Sequence, residues 1–209
     1  MYNGFKRFFD IFSSSAAILL LSPLLLTVAI LIKATSKGPV LFKQKRVGRG
    51  ENHFMIWKFR TMRTDTPKDC PTHMLENPDR YITGVGKFLR KTSLDELPQL
   101  FNILAGQMSV IGPRPALWNQ YDLIAERDKY GANDIRPGLT GWAQINGRDE
   151  LPIAQKAALD GEYVEKYGLK MDVKCLFGTV KQVLTGAGVV EGASEKPTER
   201  TEDAEEVNS

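Results

Sequence analysis

The run AAILLLSPLLLTVAILI, residues 16–32, decides the architecture because it concentrates apolar residues that are sparser elsewhere in the chain. The 209-residue chain has an ordinary hydrophobic fraction of 42%. The run nearly reaches the roughly 20 residues that a helix needs to cross a bilayer, which predicts a membrane helix. A signal peptide is disfavoured, because Lys33 follows the run where a cleavage site of small residues would be required.

Two membrane topologies are compatible with this run. Ser22 and Pro23 lie near its middle, where a proline removes a backbone hydrogen bond and bends a helix. The serine hydroxyl can bond the carbonyl that the proline leaves without a donor, which lipid cannot do. Lys6 and Arg7 precede the run and Lys33 follows it, so the charges favour neither end crossing. A single span and a re-entrant helix that returns to the same side both remain open.

Outside the run, length and charge predict one compact domain with a charged tail. Residues 191–209 hold seven acidic and two basic residues and no aromatic residue, which predicts disorder. The remainder carries a formal charge of about +8, which suits phosphates or acidic lipid headgroups, although solubility explains it equally. Cys70 and Cys175 match no metal or disulfide spacing, which is typical of a reducing cytoplasm.

Residues 38–62 predict a β-hairpin, with strands at 40–42 and 54–57 joined by turn residues at 48–52. Lys58 and Arg60 lie at its end among large apolar residues, where a cation is expected to have a fixed partner. The proline-containing residues 64–80 that follow predict a surface loop.

The adjacent carboxylates Asp95 and Glu96 permit two interpretations. Ser93 followed three residues later by Glu96 fits a capping box, and Pro98 alternatively allows Asp95 to be the helix cap. Adjacent carboxylates on a helix diverge by about 100°, so they make a poor shared-proton pair. One of them could still attack a substrate while the other orients it or handles protons. From the spacing alone, capping is the simpler interpretation.

Cations flank this carboxylate pair. Arg90 and Lys91 precede it, and Arg114 follows it between Pro113 and Pro115. The two prolines restrict the backbone and therefore the direction of Arg114, although an ordinary turn would explain them as well. Carboxylates beside arginines favour phosphate chemistry, because a bidentate guanidinium group suits phosphate oxygens.

Near the C-terminus, a set of apolar residues recurs at helical spacing and predicts an amphipathic helix. Packing against the core and lying in a membrane interface are equally compatible with it. The residues are Val173, Leu176, Phe177, Val180, Val183 and Leu184.

Several ordered motifs together resemble the bacterial sugar transferase family, the monotopic phosphoglycosyl transferases. They are KRFFDIF (6–12), Ser22-Pro23 in the apolar run, GPVLFKQKRVG (38–48), WKFRTM (57–62), FLRKTSLDELPQLFNIL (88–104), GQMSVIGPRP (106–115) and RPGLTGWAQINGR (136–148). The resemblance covers residues 1–184. Because no multi-span region precedes residues 16–32, we expect the minimal form of the family.

The resemblance implies a reaction in two steps. A carboxylate attacks the sugar-bearing phosphate of a UDP-sugar, releasing UMP and leaving a phosphosugar on the enzyme. Undecaprenyl phosphate, or another polyprenyl phosphate, then accepts the sugar phosphate and starts capsule, exopolysaccharide, O-antigen or glycoprotein synthesis. The resemblance also implies Mg²⁺ as the cofactor, to offset repulsion between the carboxylate and the diphosphate.

The same resemblance assigns roles to residues. Asp95 is expected to be the nucleophile and a Mg²⁺ ligand, with Glu96 as its partner carboxylate. The phosphates and substrate are expected to contact Lys58, Arg90, Arg114, Arg136 and Arg148. Ser22 and Pro23 are expected to bend the membrane helix into its re-entrant form.

The fold expected is an α+β, helix-rich single domain with a re-entrant N-terminal helix, a β-hairpin and interfacial amphipathic helices. It divides into a membrane helix at 1–36, a cytoplasmic catalytic domain at 37–190 and a disordered acidic tail at 191–209. The expected location is the cytoplasmic face of the inner membrane, in contact with membrane lipids. No nucleic-acid-binding motif is present, and a homo-oligomer is left open. The alternative function is a catalytically inactive membrane anchor of the same fold.

Overall fold

The computed structural model describes residues 2–67, 77–147 and 151–185. Within these ranges the chain combines helices with two small two-stranded sheets, which confirms the α+β, helix-rich class. The elements in order are α1 (Tyr2–Thr35), β1 (Leu41–Val47), β2 (His53–Phe59), α2 (Gly84–Lys91), α3 (Gln99–Leu104), β3 (Ser109–Ile111), α4 (Tyr121–Asp128), β4 (Gly138–Thr140), α5 (Trp142–Ile145), α6 (Ile153–Glu165) and α7 (Leu169–Thr185). The predicted disordered tail at 191–209, Cys70 and part of the predicted loop at 64–80 lie outside the described residues.

Helix α1 has 34 residues and is about 51 Å long at 1.5 Å per residue. Its length and composition are sufficient to cross a membrane, and most of its apolar surface is not covered by protein. Leu19 and Leu20, for example, are 75% and 78% exposed. One face does pack on the domain: Val28 and Ile32 are buried in a cluster with β2 and α2.

The centre of α1 contains the hydrogen bond expected of the Ser22 hydroxyl, whereas the bend expected at Pro23 stays a prediction. The helix continues through Pro23, which has no N–H to donate to the Leu19 carbonyl four residues earlier. The Ser22 hydroxyl donates to that carbonyl at 2.8 Å, so the predicted replacement bond is confirmed. This bond lets an α-helix carry a proline without an unsatisfied acceptor in apolar surroundings. The re-entrant path of the helix through a membrane stays a prediction.

Strands β1 and β2 form the predicted antiparallel hairpin, in register from Leu41 opposite Phe59 to Val47 opposite His53. Both strands have seven residues and are longer than the predicted strands at 40–42 and 54–57. Arg49–Glu51 form a 3-10 turn between them, in which Gly50 has a positive φ of 58°. The hairpin contributes to two cores: Phe54 and Ile56 pack on α3, whereas Phe59 packs on α1 and α2.

Strands β3 and β4 form a short parallel pair, and β4 bonds the loop that follows β3. A glycine is required in β4 because the two chains approach closely: a Cβ atom on Gly138 would lie 2.1 Å from the Gly112 nitrogen. This contact brings the strand pair within reach of Pro113, whose carbonyl accepts a hydrogen bond from the Gly138 N–H.

The first turns of α1 are tied to α7 through buried Asp172. The Asp172 carboxylate bonds Lys6 and Tyr2 of α1, and it accepts a hydrogen bond from Tyr163 of α6 at 2.6 Å. Asp10 extends the connection to β3, since its Oδ1 accepts from the Val110 N–H at 2.9 Å. The N-terminal part of α1 is therefore joined to the domain by buried polar bonds as well as by apolar packing.

The apolar set on α7 does not pack into the core, so the core interpretation of this helix is wrong. Val173, Leu176, Phe177 and Val180 are all exposed, Phe177 by 70%. The opposite face, with Met171 and Asp172, is buried instead. The side chains of Val183 and Leu184 lie outside the description. An interfacial position for α7 stays a prediction.

Candidate active site

A 3-10 turn at Leu94–Glu96 presents the two adjacent carboxylates between α2 and α3. The turn begins at Ser93, which has a left-handed backbone with φ of 56° and makes no side-chain capping bond. The residue that caps α3 is Pro98, whose side chain has no polar group and makes no capping bond. Both capping interpretations of Asp95 and Glu96 are therefore wrong. The local pattern fits a cap, but the Glu96 side chain bonds residues far away in sequence.

Glu96 is held by two cations from different parts of the chain. Its Oε1 accepts from Lys58 Nζ of β2 at 2.8 Å and from Arg114 Nη2 at 2.7 Å. Its Oε2 lies 3.4 Å from Arg114 Nη1, so the guanidinium group faces both oxygens. Burial alone would raise the pKa of Glu96, but Arg114 and Lys58 hold that pKa well below its usual value. Glu96 is therefore a fixed anion near neutral pH.

Asp95 has a different environment from that of its neighbour. Its residue is 9% exposed, and its carboxylate makes no hydrogen bond or ion pair with any residue that the structure describes. Burial raises the pKa of Asp95, Lys58 opposes the shift and the charge of Glu96 adds to it. Of the two carboxylates, Asp95 is the one whose oxygens are not already used in bonds to described neighbours.

Arg90, in the last turn of α2, is the third cation of the site. Its Nε donates to Thr61 Oγ1 at 3.0 Å, and its charge acts to lower the pKa of Asp95. Thr61 also receives a backbone bond from Thr83, which starts α2. The close approach requires Gly86, because a Cβ atom there would meet the Thr61 carbonyl oxygen at 2.0 Å. Thr61 thus positions α2 and Arg90, a role that sequence reasoning missed.

Three of the five predicted basic residues, Lys58, Arg90 and Arg114, are therefore brought to the carboxylate pair. Arg60, expected to have a fixed partner, has one elsewhere: it donates to the carbonyls of Ser36 and Lys37 just after α1. The three cations and two carboxylates leave one formal positive charge in excess. Such a site can bind an anion and present one carboxylate to it.

Arg136 bonds residues outside this cluster, and Arg148 is not among the described residues. Arg136 donates through Nε to the Gly106 carbonyl at 3.0 Å and lines a cavity of about 40 Å³ beside the first turns of α1. Arg148 lies outside the described residues, so its predicted contact with substrate stays a prediction.

Asp95 fits Mg²⁺ as a single carboxylate ligand. Within residues 2–67, 77–147 and 151–185, no group of three or more acidic, histidine or cysteine side chains could hold a metal ion. Mg²⁺ in phosphoryl-transfer sites commonly binds one or two carboxylates together with substrate phosphates, so a complete protein cage is not required. Glu96 is the poorer candidate, because Lys58 and Arg114 already occupy its oxygens.

Comparison with known proteins gives a family and close relatives. A family model described as bacterial sugar transferase matches residues 1–186. An undecaprenyl-phosphate glucose phosphotransferase from Komagataeibacter xylinus is 40% identical over 187 residues, which cover 85% of this chain and 35% of the relative. A UDP-glucose:undecaprenyl-phosphate glucose-1-phosphate transferase from Klebsiella pneumoniae is 42% identical over 189 residues, or 84% and 39% of the two chains.

A relative of similar size also matches. Exopolysaccharide production protein PSS from Rhizobium leguminosarum bv. phaseoli is 43% identical over 192 residues, which cover 86% of this chain and 95% of the relative. By contrast, this chain spans less than half the length of the two larger transferases. The shared region includes both carboxylates and the three cations around them.

The electrostatic coupling of the two carboxylates gives a testable prediction. Glu96→Gln removes a negative charge that raises the pKa of Asp95, so that pKa should fall. Lys58→Met removes a charge that lowers it, so the pKa of Asp95 should rise. Carboxyl-¹³C NMR titration of selectively labelled aspartate measures both changes, and the Asp95 signal is identified by its absence from Asp95→Asn protein labelled in the same way. An Asp95 titration identical in all three proteins would contradict the described arrangement.

Proposed function

Because this chain belongs to the bacterial sugar transferase family, we propose that it transfers a sugar 1-phosphate from a UDP-sugar to undecaprenyl phosphate. UMP is the second product of the transfer, and the lipid product is a polyprenyl diphosphate sugar. Relatives that act on UDP-glucose and undecaprenyl phosphate, according to their names, support both substrates. The reaction would start the assembly of a surface polysaccharide or another glycoconjugate.

The observation that carries this proposal is the difference in hydrogen bonding between the two carboxylates. Glu96 is bonded by Lys58 and Arg114, whereas Asp95 is bonded by no described residue and lies within the field of the same cations. A carboxylate already neutralised by two hydrogen-bonded cations is a poor nucleophile. Asp95 keeps its lone pairs available, and the cations beside it can attract the diphosphate that it must attack.

The proposed chemistry has two displacements at one phosphorus atom. In the first, an Asp95 oxygen attacks the sugar-bearing phosphorus of the UDP-sugar, and the bond from that phosphorus to the bridging oxygen breaks, so UMP leaves. In the second, an oxygen of undecaprenyl phosphate attacks the same phosphorus and the bond to Asp95 breaks. The carboxylate is then restored, and the sugar phosphate is on the lipid.

The cations have separate tasks in this scheme. Arg114 offers a planar fork to phosphate oxygens, and Lys58 offers a point charge, so both can stabilise charge that develops on the transferred group. Arg90, whose charge also acts on Asp95, adds a third positive charge to the site. Mg²⁺, held by Asp95 and the donor diphosphate, would supply further neutralisation of that charge. Arg136, which bonds the Gly106 carbonyl, and Arg148, which is outside the described residues, are kept as substrate-binding candidates.

The proposed location is the cytoplasmic face of the inner membrane, with α1 re-entrant at Ser22 and Pro23. The exposed apolar surface of α1 supports membrane association. The bonds that join its first turns to α7 and β3 support keeping the N-terminus on the same side as the domain. Domain limits at 1–36, 37–190 and 191–209 follow from this scheme.

The topology is tested by thiol labelling in intact cells. With both native cysteines, Cys70 and Cys175, replaced by Ser, single cysteines at Asn3 and at exposed Lys129 should both resist an impermeant thiol reagent until the cells are lysed. A re-entrant helix places both positions in the cytoplasm, which the reagent cannot enter. If Asn3→Cys is labelled in intact cells while Lys129→Cys is protected, α1 spans the membrane instead.

The function is tested by UMP release from a panel of UDP-sugars with undecaprenyl phosphate. Asp95→Asn should keep the fold and lose activity by orders of magnitude, since the covalent step is removed. Glu96→Gln should lose about a hundred- to ten-thousand-fold, the range of an assisting group. The matched control is Asp122→Asn, at an exposed position of α4, which should leave the rate of UMP release nearly unchanged. Wild-type rates for Asp95→Asn, or no UMP from wild type with any donor, would refute the proposal.

A further inference from the structure

In the loop that carries Arg114, several carbonyl oxygens accept hydrogen bonds from other described elements. Pro113 and Pro115 have no backbone N–H, so the loop has lost two of its donors and must be fixed by groups that donate to it. Four successive carbonyls each have such a donor. The bonds are Gly138 N to Pro113 O at 2.8 Å, Arg127 Nη1 to Arg114 O at 2.9 Å, Arg46 Nη1 to Pro115 O at 3.0 Å and Val47 N to Ala116 O at 3.0 Å.

The donor to Arg114 itself is a buried side chain from another element. Arg127 lies in the last turn of α4 and is 3% exposed. Its Nε and Nη2 donate to Asp160 Oδ2 of α6 at 2.8 Å and 2.6 Å, and Asp160 is completely buried. One edge of the guanidinium group is thus fixed by α6, while its Nη1 bonds the backbone of the residue that contacts Glu96.

Stability alone gives little reason for this arrangement. Removing a guanidinium and a carboxylate from water is costly, and well-packed apolar residues of similar volume are often as stable as a buried ion pair. The Asp160 pKa illustrates the cost, since burial raises it although Arg127 opposes the shift. What an apolar pair could not do is donate a directional hydrogen bond to the Arg114 carbonyl.

We propose that Arg127 is a positioning residue for the transfer reaction, and that it acts through Arg114. Asp160 orients Arg127, Arg127 fixes the Arg114 backbone, and the fixed backbone keeps the Arg114 guanidinium group aligned on Glu96 beside Asp95. Productive sites need their groups within about 0.5 Å of the working geometry, which a loop without such bonds does not provide. This inference rests on the proposed function.

The test is a double-substitution cycle on kcat and KM for UMP release. Arg127→Lys keeps the charge beside Asp160 but cannot bond both Asp160 and the Arg114 carbonyl in the same geometry. It should lower kcat by about 10- to 100-fold, the effect of misplacing a group by roughly 1 Å. In an Arg114→Lys background the same substitution should cost less than about threefold, because no fork remains to be aligned. The inference would be overturned if Arg127→Lys lowered kcat by the same factor in the wild-type and Arg114→Lys backgrounds. An unchanged kcat for Arg127→Lys would also overturn it.

Two further measurements keep the test decisive. Arg49→Lys is the matched control. Arg49 lies in the hairpin turn, and like Arg127 it donates a hydrogen bond from its guanidinium group to a backbone carbonyl, in this case that of Asp134 at 3.0 Å. Its kcat should equal that of wild type. If Arg127→Lys melts below the assay temperature, Arg46→Lys, which weakens the neighbouring bond to Pro115, replaces it in the same cycle with the same expected outcomes.

A readout without turnover separates this inference from the proposed function. In ¹⁵N-arginine-labelled protein the Arg114 Nη signals should be resolved, because two-point contact with Glu96 slows rotation of the guanidinium group. Arg127→Lys should merge or broaden these signals, and Arg49→Lys should leave them unchanged. Unchanged Arg114 signals in Arg127→Lys would overturn positioning even if wild type is active. Altered signals with an inactive wild type would support positioning while refuting the proposed reaction.

Discussion

The bond set around Glu96 is the interaction on which the site depends. A single carboxylate joins β2 through Lys58, which is 38 residues away, and the loop after β3 through Arg114, which is 18 residues away. Because the two cations keep the pKa of Glu96 low, this junction stays charged across the neutral range. It joins three segments beside Asp95 and engages both oxygens of Glu96, whereas the Asp95 carboxylate makes no hydrogen bond or ion pair with a described residue.

Further hydrogen bonds hold the loop that carries Arg114 and so support its contact with Glu96. The loop of Arg114 accepts hydrogen bonds from β1, from β4 and from Arg127, which is itself held by Asp160. The parallel pair of β3 and β4 is in turn tied to the membrane helix, since Asp10 bonds the β3 backbone. Packing of α1 on the domain and the geometry of the carboxylate pair are therefore linked through short paths of buried polar bonds.

The sequence predicted the features that depend on local pattern. The hairpin followed from its strand and turn residues, and the bond from Ser22 to the Leu19 carbonyl followed from the missing N–H of Pro23. The resemblance to a family predicted that Lys58, Arg90 and Arg114 would lie near Asp95. Capping by Asp95 and Glu96 was wrong because Ser-Leu-Asp-Glu fits both a cap and a 3-10 turn, and only distant partners decide between them. The Arg127–Asp160 pair had no local signal, since it joins two helices 33 residues apart.

The central claim is that Asp95 becomes covalently bonded to the sugar phosphate, and the most direct test omits the lipid. Wild-type protein incubated with UDP-sugar alone should release about one UMP per chain. Mass spectrometry after digestion should then find a sugar-phosphate increment on the peptide, localised to Asp95 and absent from Asp95→Asn. If UMP appears only when undecaprenyl phosphate is also present, and no increment can be trapped, transfer is direct and Asp95 is not the nucleophile.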